Sequence, residues 1–395
     1  MALLDKVGTI KLTIRTDLGD KWLLCNGDLL NREDYPELSP YFPNGPSNPW
    51  VTVNGTFSQN FCIGGAYGNG YYIMVVQSSP NIIIYYSQSV TGPWTSFTIN
   101  TGFSQVSIQS VQFVNGYFIL CGNIQNAGNY FPYLWYATSP TSWSGTNMGV
   151  TGQSSYNQWA TSVTYLNGYY YAAYYYTYDG GSYVKRSSSL SGTWGSFSSR
   201  LNGTITVLRA FDGKIYYGRS YDSYVYAGYL YSSAQVYETQ LVTSGGEIGE
   251  ILYNNGEWIF VGHSGTIAYL WHGATYDSLT AKTLWTSDTN SFYVKDVIHD
   301  ENGNYLVCGS YVDGSTTYGR IAYSSDLDGT WTFVDMDFTG ITSYSYNAVR
   351  TLMMAEDGIY LAVTTVNYAY TDPTKFLLPE IAPSNFYAYI KALEG

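Results

Sequence analysis

A unit made of an apolar run, a glycine-containing turn and a second apolar or aromatic run recurs seven times in this chain of 395 residues. Asn-Gly and Asp-Gly between β-rich runs predict β-hairpins, because a type I′ turn needs positive φ at both central residues. The turns recur about every 45 residues, the length of four short strands with their connections. The turn glycines are Gly70, Gly116, Gly168, Gly213, Gly256, Gly303 and Gly358. The repeat therefore predicts an all-β fold of the propeller type, with one four-stranded blade per unit.

The seventh unit has three strands and stops at Asp372-Pro373. The segment 47–54 reads SNPWVTVN, and it is similar to the fourth strands of the other units. We therefore expect residues 50–54 to form the outer strand of the seventh blade, where they remove an exposed sheet edge. The predicted fold is a seven-bladed β-propeller over residues 49–371, closed by an N-terminal strand.

The charge balance excludes some partners. Charged residues make up 12% of the chain, about half of the usual 25%. With 29 acidic and 17 basic residues the net charge is −12, whereas a nucleic-acid-binding protein needs basic surface. Apolar runs are too short to insert into a membrane, and the N-terminal segment lacks the pattern of a signal peptide, so we expect synthesis in the cytoplasm. The four cysteines have no metal-ligand spacing, and we expect no metal and no cofactor.

Three octapeptides share the frame S-x-[SD]-x-x-G-x-W. They are residues 87–94, 187–194 and 324–331. They resemble the Asp-box of sialidase-type propellers, which implies a turn between the two outer strands of a blade. Because that element belongs to the scaffold of many propellers, it indicates architecture and not chemistry.

Residues 19–42 read GDKWLLCNGDLLNREDYPELSPYF, and residues 376–381 read FLLPEI. The first segment resembles the leading motif of the phage tail collar domain, and the second resembles its F-x-L-P-[DE]-[LI] motif. The matching positions in the first segment are Gly19, Trp22, Leu23, Cys25, Asn26, Gly27, Arg32, Tyr35 and Leu38. The resemblance implies a small collar-like α+β/β anchoring domain, made from residues 1–46 and 373–395. The propeller would then be inserted into one of its loops, since insertions succeed where the loop ends lie close together.

A glycan-degrading enzyme is the less favoured alternative. Glu247 and Glu250, in the segment SGGEIGE, are the nearest match to the carboxylate pair of a glycosidase. A pair with this spacing in a glycine-rich segment is more often solvated surface. His263, His272 and His299 have no metal-ligand spacing. We therefore predict no enzymatic activity.

The loops suit recognition better than catalysis. If the first strand of each blade is innermost, one face carries the variable, tyrosine-rich connections, and Tyr, Ser, Gly and Asn are also the residues of antibody paratopes. The predicted ligand-binding residues are Tyr130, Tyr156, Trp159, Tyr178, Asp179, Tyr221, Asp222, Tyr311, Asp313 and Tyr344. The alternative for each tyrosine is packing between blades, and for each aspartate it is turn formation.

These observations predict a bacteriophage or phage-derived tail protein located in the virion. Its collar-like domain would bind other tail or baseplate proteins, and a homo-oligomer is compatible with that family. Its propeller would bind a host-surface ligand, and a glycan is favoured over a protein. The alternative is a structural tail or baseplate component without a ligand.

Overall fold

A computed structural model describes residues 10–13, 22–24, 29–36, 38, 50–53, 61–232, 235–243, 245–287, 290–314, 316–336, 349–354, 360–364, 368–371, 375–377 and 387–391. All regular elements in these ranges are β-strands. The first four are β1 (Ile10–Thr13), β2 (Trp22–Leu24), β3 (Leu29–Asn31) and β4 (Trp50–Val53).

Six antiparallel sheets are each built from consecutive strands, which is the arrangement of a propeller blade. Blade 1 contains β5 (Phe61–Gly68), β6 (Tyr71–Ser78), β7 (Asn81–Ser87) and β8 (Thr95–Ile99). Blade 2 contains β9 (Gln105–Val114), β10 (Tyr117–Asn126), β11 (Asn129–Ala137) and β12 (Ser144–Asn147). Blade 3 contains β13 (Gln158–Leu166), β14 (Tyr169–Tyr176), β15 (Gly181–Ser187), β16 (Gly195–Ser196) and the short β17 (Leu201–Asn202), which also pairs with β15.

The other three blades have the same order. Blade 4 contains β18 (Thr204–Phe211), β19 (Lys214–Tyr221), β20 (Tyr224–Ser232) and β21 (Gln235–Val242). Blade 5 contains β22 (Gly246–Asn254), β23 (Glu257–Ser264), β24 (Ile267–Gly273) and β25 (Thr280–Trp285). Blade 6 contains β26 (Ser291–His299), β27 (Tyr305–Asp313), β28 (Thr316–Ser324) and β29 (Thr332–Met336).

The structure shows six blades of consecutive strands, not the seven that the sequence predicts. One further four-stranded sheet combines β30 (Val349–Met354), β31 (Tyr360–Thr364) and β32 (Tyr368–Thr371) with β4, in the order β30-β31-β32-β4. Its fourth strand comes from the other end of the chain, because the last unit contains three strands. The expected pairing of the segment at Trp50 with this sheet is present.

The two ends of the chain form two small sheets. β34 (Tyr387–Lys391) lies between β1 and β2, and β33 (Lys375–Leu377) pairs with β3. The described parts of the terminal segments contain strands and no helix, so the helical part of the expected α+β domain is not seen there. The chain divides into two compact units, one of residues 1–51, 354–361 and 369–395 and the other of residues 52–353 and 362–368.

The tight hairpin turns have the predicted geometry. In five blades both central residues have positive φ, as at Asn115 (48°) and Gly116 (80°), which is the type I′ conformation. The turn of blade 6 is longer, and the carboxylate of Asp300 accepts hydrogen bonds from the backbone and side-chain nitrogens of Asn304 at 2.6 and 2.7 Å. The seventh turn, at Gly358, lies outside the described residues.

The Asp-box-like octapeptides form the turns between third and fourth strands. In blade 3 the Ser187 hydroxyl accepts a hydrogen bond from the backbone nitrogen of Ser189 at 3.4 Å. The Trp194 indole donates to the Leu190 carbonyl at 3.4 Å. The segment 324–331 of blade 6 repeats both bonds. These residues therefore act in the scaffold, in agreement with the sequence analysis.

Hydrophobic cores lie between adjacent blades. Ile73 and Val75 of blade 1 are fully buried against Phe118 and Leu120 of blade 2. Corresponding clusters join blades 2 and 3, 3 and 4, 4 and 5, and 5 and 6. Since large apolar side chains of neighbouring sheets interlock, the fold holds its inner strands in a rigid frame around the axis.

Candidate functional site

The first strand of each blade is innermost and contains a β-bulge. The strand pairing skips one residue at an equivalent place in all six blades. The skipped residues are Ile63, Gln109, Thr161, Thr206, Gly249 and Lys295. All six line a central cavity of about 1020 Å³, together with residues 350–353 of β30. Because a bulge changes the direction of its residue, one bulged residue of each blade joins the other residues that line this cavity.

Neutral side chains link neighbouring inner strands beside the bulges. The Gln112 amide oxygen accepts a hydrogen bond from the Val163 nitrogen at 2.8 Å, and the Ser162 hydroxyl accepts one from the Leu208 nitrogen at 3.0 Å. The Gly65 nitrogen donates to the hydroxyl of Thr351 on β30 at 3.3 Å. These bonds satisfy backbone N–H groups that the bulges withdraw from the sheet ladder.

Carboxylates replace those neutral groups on the other side of the cavity. The Asp296 carboxylate accepts hydrogen bonds from the backbone nitrogens of Leu352 at 2.9 Å and Val297 at 2.8 Å. Glu250 accepts one from the Ile251 nitrogen at 2.7 Å, and it forms an ion pair with Arg209. Burial and the nearby Glu250 raise the pKa of Asp296 to about 7. Burial also raises the pKa of Glu250, because it outweighs the attraction of Arg209.

Glu247 lies on the same strand and forms an ion pair with Lys295 of blade 6. Burial is the largest single influence and raises the pKa of Glu247, but the charge and the hydrogen bond of Lys295, together with His263 and Arg350, outweigh it, so the net shift of the pKa is downward. The interpretation of Glu247 and Glu250 as a solvated loop pair is therefore wrong. Both lie on β22, where Glu250 forms an ion pair with Arg209 of blade 4 and Glu247 forms one with Lys295 of blade 6. The two ion pairs therefore connect blade 5 to both of its neighbours.

The loop face carries the connections between second and third strands, at residues 79–80, 127–128, 177–180, 222–223, 265–266 and 314, together with the described segments between blades. A second pocket, of about 280 Å³, opens between blades 2 and 3 at the start of their inner strands. We name it the interblade pocket. Its lining residues are Gln105, Val106, Ser107, Gln109, Asn123, Tyr130, Asn157 and Trp159. All eight residues are uncharged. Five of them carry an amide or a hydroxyl group, namely Gln105, Ser107, Gln109, Asn123 and Asn157. Tyr130 and Trp159 add aromatic rings with polar tips.

Asn123 is the most deeply placed polar group of the interblade pocket. Its side chain is on β10 and the residue keeps 8% of its surface exposed. Within the part of the chain that the structure describes, no hydrogen bond to the Asn123 amide is formed. Trp159 lines both the interblade pocket and the central cavity, and its ring packs 5.1 Å from that of Tyr175.

A tyrosine cluster stands beside the interblade pocket. The rings of Tyr156 and Tyr178 are 4.7 Å apart, and Tyr176 lies 6.5 Å from Tyr156. Tyr178 is 63% exposed and Tyr156 is 40% exposed. The nitrogen of Thr177 donates to the carbonyl of Asn157 at 3.1 Å, so the loop that carries the cluster is bonded to a residue of the pocket. Four predicted residues, Tyr130, Tyr156, Trp159 and Tyr178, are thus brought to one place.

Asp179 follows Tyr178 but has partners of its own. Its carboxylate accepts hydrogen bonds from the Gly181 nitrogen at 3.0 Å and from the Tyr183 hydroxyl. The Arg200 guanidinium lies 3.5 Å away. These contacts fix the loop, which is the structural alternative considered for the loop aspartates.

The remaining predicted residues lie apart from that group. Tyr221 and Asp222 belong to the hairpin of blade 4, where Asp222 has a φ of 51°. Asp313 is exposed at the end of β27. Tyr311 is on the same strand and is buried, with the Arg320 guanidinium 3.3 Å from its ring centre. It therefore offers no exposed ring to a ligand. Tyr344 lies outside the described residues.

Asn123, Gln105 and Asn157 are site residues that the sequence does not predict. The signal was present for Asn123, since it is an amide in the otherwise apolar run ILCGNI. Gln105 and Asn157 precede or begin inner strands, and only the pairing of two blades brings them to the same pocket.

Two classes of feature are absent from the described residues. No helix there is long and apolar enough to cross a membrane. In the same ranges, no three His, Cys, Asp or Glu side chains are grouped so that they would hold a metal ion.

No protein-family model and no curated protein matches this sequence. Among solved structures, the chain is similar to the extracellular domain of a hybrid two-component system from B. thetaiotaomicron, with 11% identity and a TM-score of 0.54 over 82% of this chain and 40% of that one. It is also similar to the GH74 xyloglucanase from Xanthomonas campestris, with 12% identity and a TM-score of 0.53 over 87% of this chain and 56% of that one. The Dos1 propeller matches with 13% identity and a TM-score of 0.50, over 82% and 94% of the two chains.

This chain spans less than two thirds of the first two of those proteins. At such low identities the likeness concerns the fold alone, and it identifies a β-propeller protein.

Proposed function

We propose that this chain is a receptor-binding component of a bacteriophage or phage-derived tail, and that its loop face recognises a polar host-surface ligand, a glycan. The observation that carries the binding role is the convergence of Tyr156 and Tyr178 with the interblade pocket. Exposed tyrosines give broad contact at low entropic cost, and amides supply adaptable hydrogen bonds. An uncharged lining suits neutral polar ligands, because a charged group would lose its hydration without gaining a partner.

The anchoring role rests on the terminal strands. The two collar-like motifs lie more than three hundred residues apart in sequence, yet β3 of the first segment pairs with β33 of the second, with Leu30 opposite Phe376. Leu38, another position of the first motif, is fully buried. These observations support one collar-like domain built from both ends of the chain, which would bind other tail or baseplate proteins.

We also propose that the propeller ring has seven blades, with the β30-β31-β32-β4 sheet as the seventh. Two contacts support this assignment. The Leu352 nitrogen of β30 donates to Asp296 of blade 6, and Thr351 of the same strand accepts from Gly65 of blade 1. Hydrogen bonds from one strand to both the sixth and the first inner strands are what a seventh blade between them would form.

The binding role can be tested with purified protein on an array of bacterial surface polysaccharides and on whole host cells. The variant Tyr156→Ser/Tyr178→Ser should lose at least ten-fold in binding, because it removes both exposed rings. Tyr231→Ser is the matched control, since Tyr231 is 60% exposed at the opposite end of blade 4. If the double variant binds as well as the control, or if the protein itself binds neither array nor cells, the proposal is wrong.

A structural tail component predicts a different result. In that case the double variant would impair particle assembly, while particles that do assemble would attach to the host normally.

A further inference from the structure

We infer that the interblade pocket is a subsite for a single uncharged sugar ring, held by Asn123 at its base and by the Trp159 and Tyr130 rings at its walls. This inference rests on the proposed function and specifies its ligand. The sequence signals led to the exposed tyrosines, whereas the pocket itself depends on residues that only the fold brings together.

The first argument is the Asn123 amide. Asn123 is more than nine-tenths buried, the described residues form no hydrogen bond to its amide, and the amide atoms stay accessible from the pocket, so a molecule there can supply the partner that a polar group in such surroundings needs. The amide lines the pocket, so a molecule in the pocket can reach it. One amide offers an acceptor oxygen and a donor NH₂, which matches two neighbouring hydroxyl groups, each able to donate and accept.

The second argument is the combination of rings and amides. Trp159 and Tyr130 both line the pocket, and large aromatic faces pack against the apolar C–H surface of a ring. Gln105 and Asn157 add two further amides. A ligand that is apolar on its faces and carries hydroxyl groups around its edge uses both kinds of lining group at once.

The third argument is charge and size. None of the eight lining residues is charged, so a carboxylate or an ammonium group would be desolvated without a counter-charge. The volume of about 280 Å³ lies just below the range of sites for drug-sized molecules, about 300–1,000 Å³. It therefore suits one ring, and further rings of a polysaccharide would extend over Tyr156 and Tyr178.

Saturation-transfer NMR and calorimetric titration of the full chain test this inference. The probes are D-glucose, D-galactose, L-rhamnose and N-acetyl-D-glucosamine, each neutral, and D-glucuronate and D-galacturonate, in which a carboxylate replaces the hydroxymethyl group of glucose and of galactose. We expect at least one neutral sugar to bind, and both acidic sugars to bind at least ten-fold more weakly than it does. Equal or tighter binding of an acidic sugar would overturn the assignment to a neutral ligand.

Three variants locate the subsite. Asn123→Leu keeps the side-chain volume and removes the amide, and Trp159→Leu removes the aromatic wall. Gln105→Leu removes an exposed amide at the edge of the pocket, where a substitution should not impair folding. Each should weaken binding of the neutral sugar, the first two by ten-fold or more. Asn126→Leu, on the same strand but exposed outside the pocket, is the matched control and should bind normally.

The outcomes separate this inference from the proposed function. In one outcome the protein binds cells but no sugar, the Tyr156→Ser/Tyr178→Ser variant loses cell binding, and the pocket variants retain it. The assignment of the subsite is then wrong, and the receptor-binding role stands. If neither cells nor sugars are bound, both are wrong.

Discussion

The carboxylate of Asp296 on blade 6 accepts a hydrogen bond from the backbone nitrogen of Leu352 on β30, at 2.9 Å. On the other side of the same strand, Thr351 accepts a hydrogen bond from Gly65 of blade 1. A hydroxyl and a carboxylate thus perform the same task, which is to accept a hydrogen bond from a backbone N–H group of the neighbouring inner strand. Because a carboxylate can be protonated and a hydroxyl remains neutral, the contribution of Asp296 to stability depends on pH.

The first prediction concerns the pH dependence of stability. The pKa of an unfolded aspartate is about 3.9, whereas burial and Glu250 raise the pKa of Asp296 to about 7 in the folded protein. Because the folded state holds this proton more tightly, the stability that the group contributes is complete below about pH 4, falls as the pH rises to about 7, and stays low above it.

The variant Asp296→Asn provides the comparison, because its amide has nearly the same shape as the carboxyl group and cannot ionise. Each pKa unit corresponds to about 1.4 kcal/mol. We expect the free energy of unfolding of the natural protein, relative to the variant, to fall by more than about 1 kcal/mol between pH 4.5 and pH 8. Denaturant titrations at several pH values measure this difference, and a constant difference would contradict the shifted pKa.

The second prediction concerns the glycines opposite the bulges. A Cβ atom on Gly309 would lie 2.0 Å from the backbone oxygen of Tyr293, while one on Gly195 would meet nothing within 4 Å. Gly122 and Gly262 have the same constraint as Gly309. We expect Gly309→Ala to lower the free energy of unfolding by about 2 kcal/mol or more, since overpacking typically costs about 1–3 kcal/mol. Gly195→Ala, the control, should change it little in the same denaturation experiment.

The third prediction concerns the buried arginine of blade 6. Arg320 donates to the two oxygens of Asp335 at 2.5 and 2.7 Å, and its guanidinium covers the ring of Tyr311. Lysine keeps the charge but loses the two-pronged geometry and the flat contact. Arg320→Lys should therefore cost about 2 kcal/mol or more of stability.

Arg200→Lys is the control for that substitution. The Arg200 side chain is 40% exposed and lies 3.5 Å from Asp179, and surface ion pairs contribute about 0–1 kcal/mol. Thermal or denaturant unfolding of the two variants should differ clearly; equal losses would show that the geometry at Arg320 is unimportant.

The fourth prediction concerns the thiols. Burial raises the pKa of both Cys62 and Cys121 to about 12, and it raises the pKa of Cys308 as well. Because the thiolate is the reactive form, iodoacetamide at pH 8 should leave these three residues unmodified in the folded protein and modify them in guanidinium chloride. Peptide mass mapping reports each site separately, and labelling of any of the three in the native protein would be inconsistent with their burial.

Local patterns predicted the hairpins well. Asn115-Gly116 and the four similar turns could be read from two residues, because the conformation of a type I′ turn depends on those residues alone. The fourth strand at Trp50 was also predictable, since the last unit lacked one strand and this segment resembled the missing part. The number of blades built from consecutive strands was not predictable in the same way, because the last sheet takes its fourth strand from a segment that is distant in the chain.

The site was harder to predict, because its residues meet across blades. The sequence favours a solvated Glu250, but its partner Arg209 lies on the preceding blade. Tyr311 was expected in a loop, yet β27 continues to Asp313 and turns that ring inward. Alternation along a strand decides which side a residue faces, so an error of one residue in a strand end moves a side chain from surface to core.

The origin of the fourth strand beside β32 has a consequence for biosynthesis. β4 precedes the six blades in the chain and its partner β32 follows them, so β4 leaves the ribosome before the blades and β32 leaves it after them. During that interval the six blades of consecutive strands can form one after another from local contacts, while β4 remains without its partner strand β32. Completion of this sheet therefore closes a far longer loop than any pairing within the six blades of consecutive strands, and we expect a nascent chain released before β32 to expose the edge of β4 to aggregation or to folding chaperones.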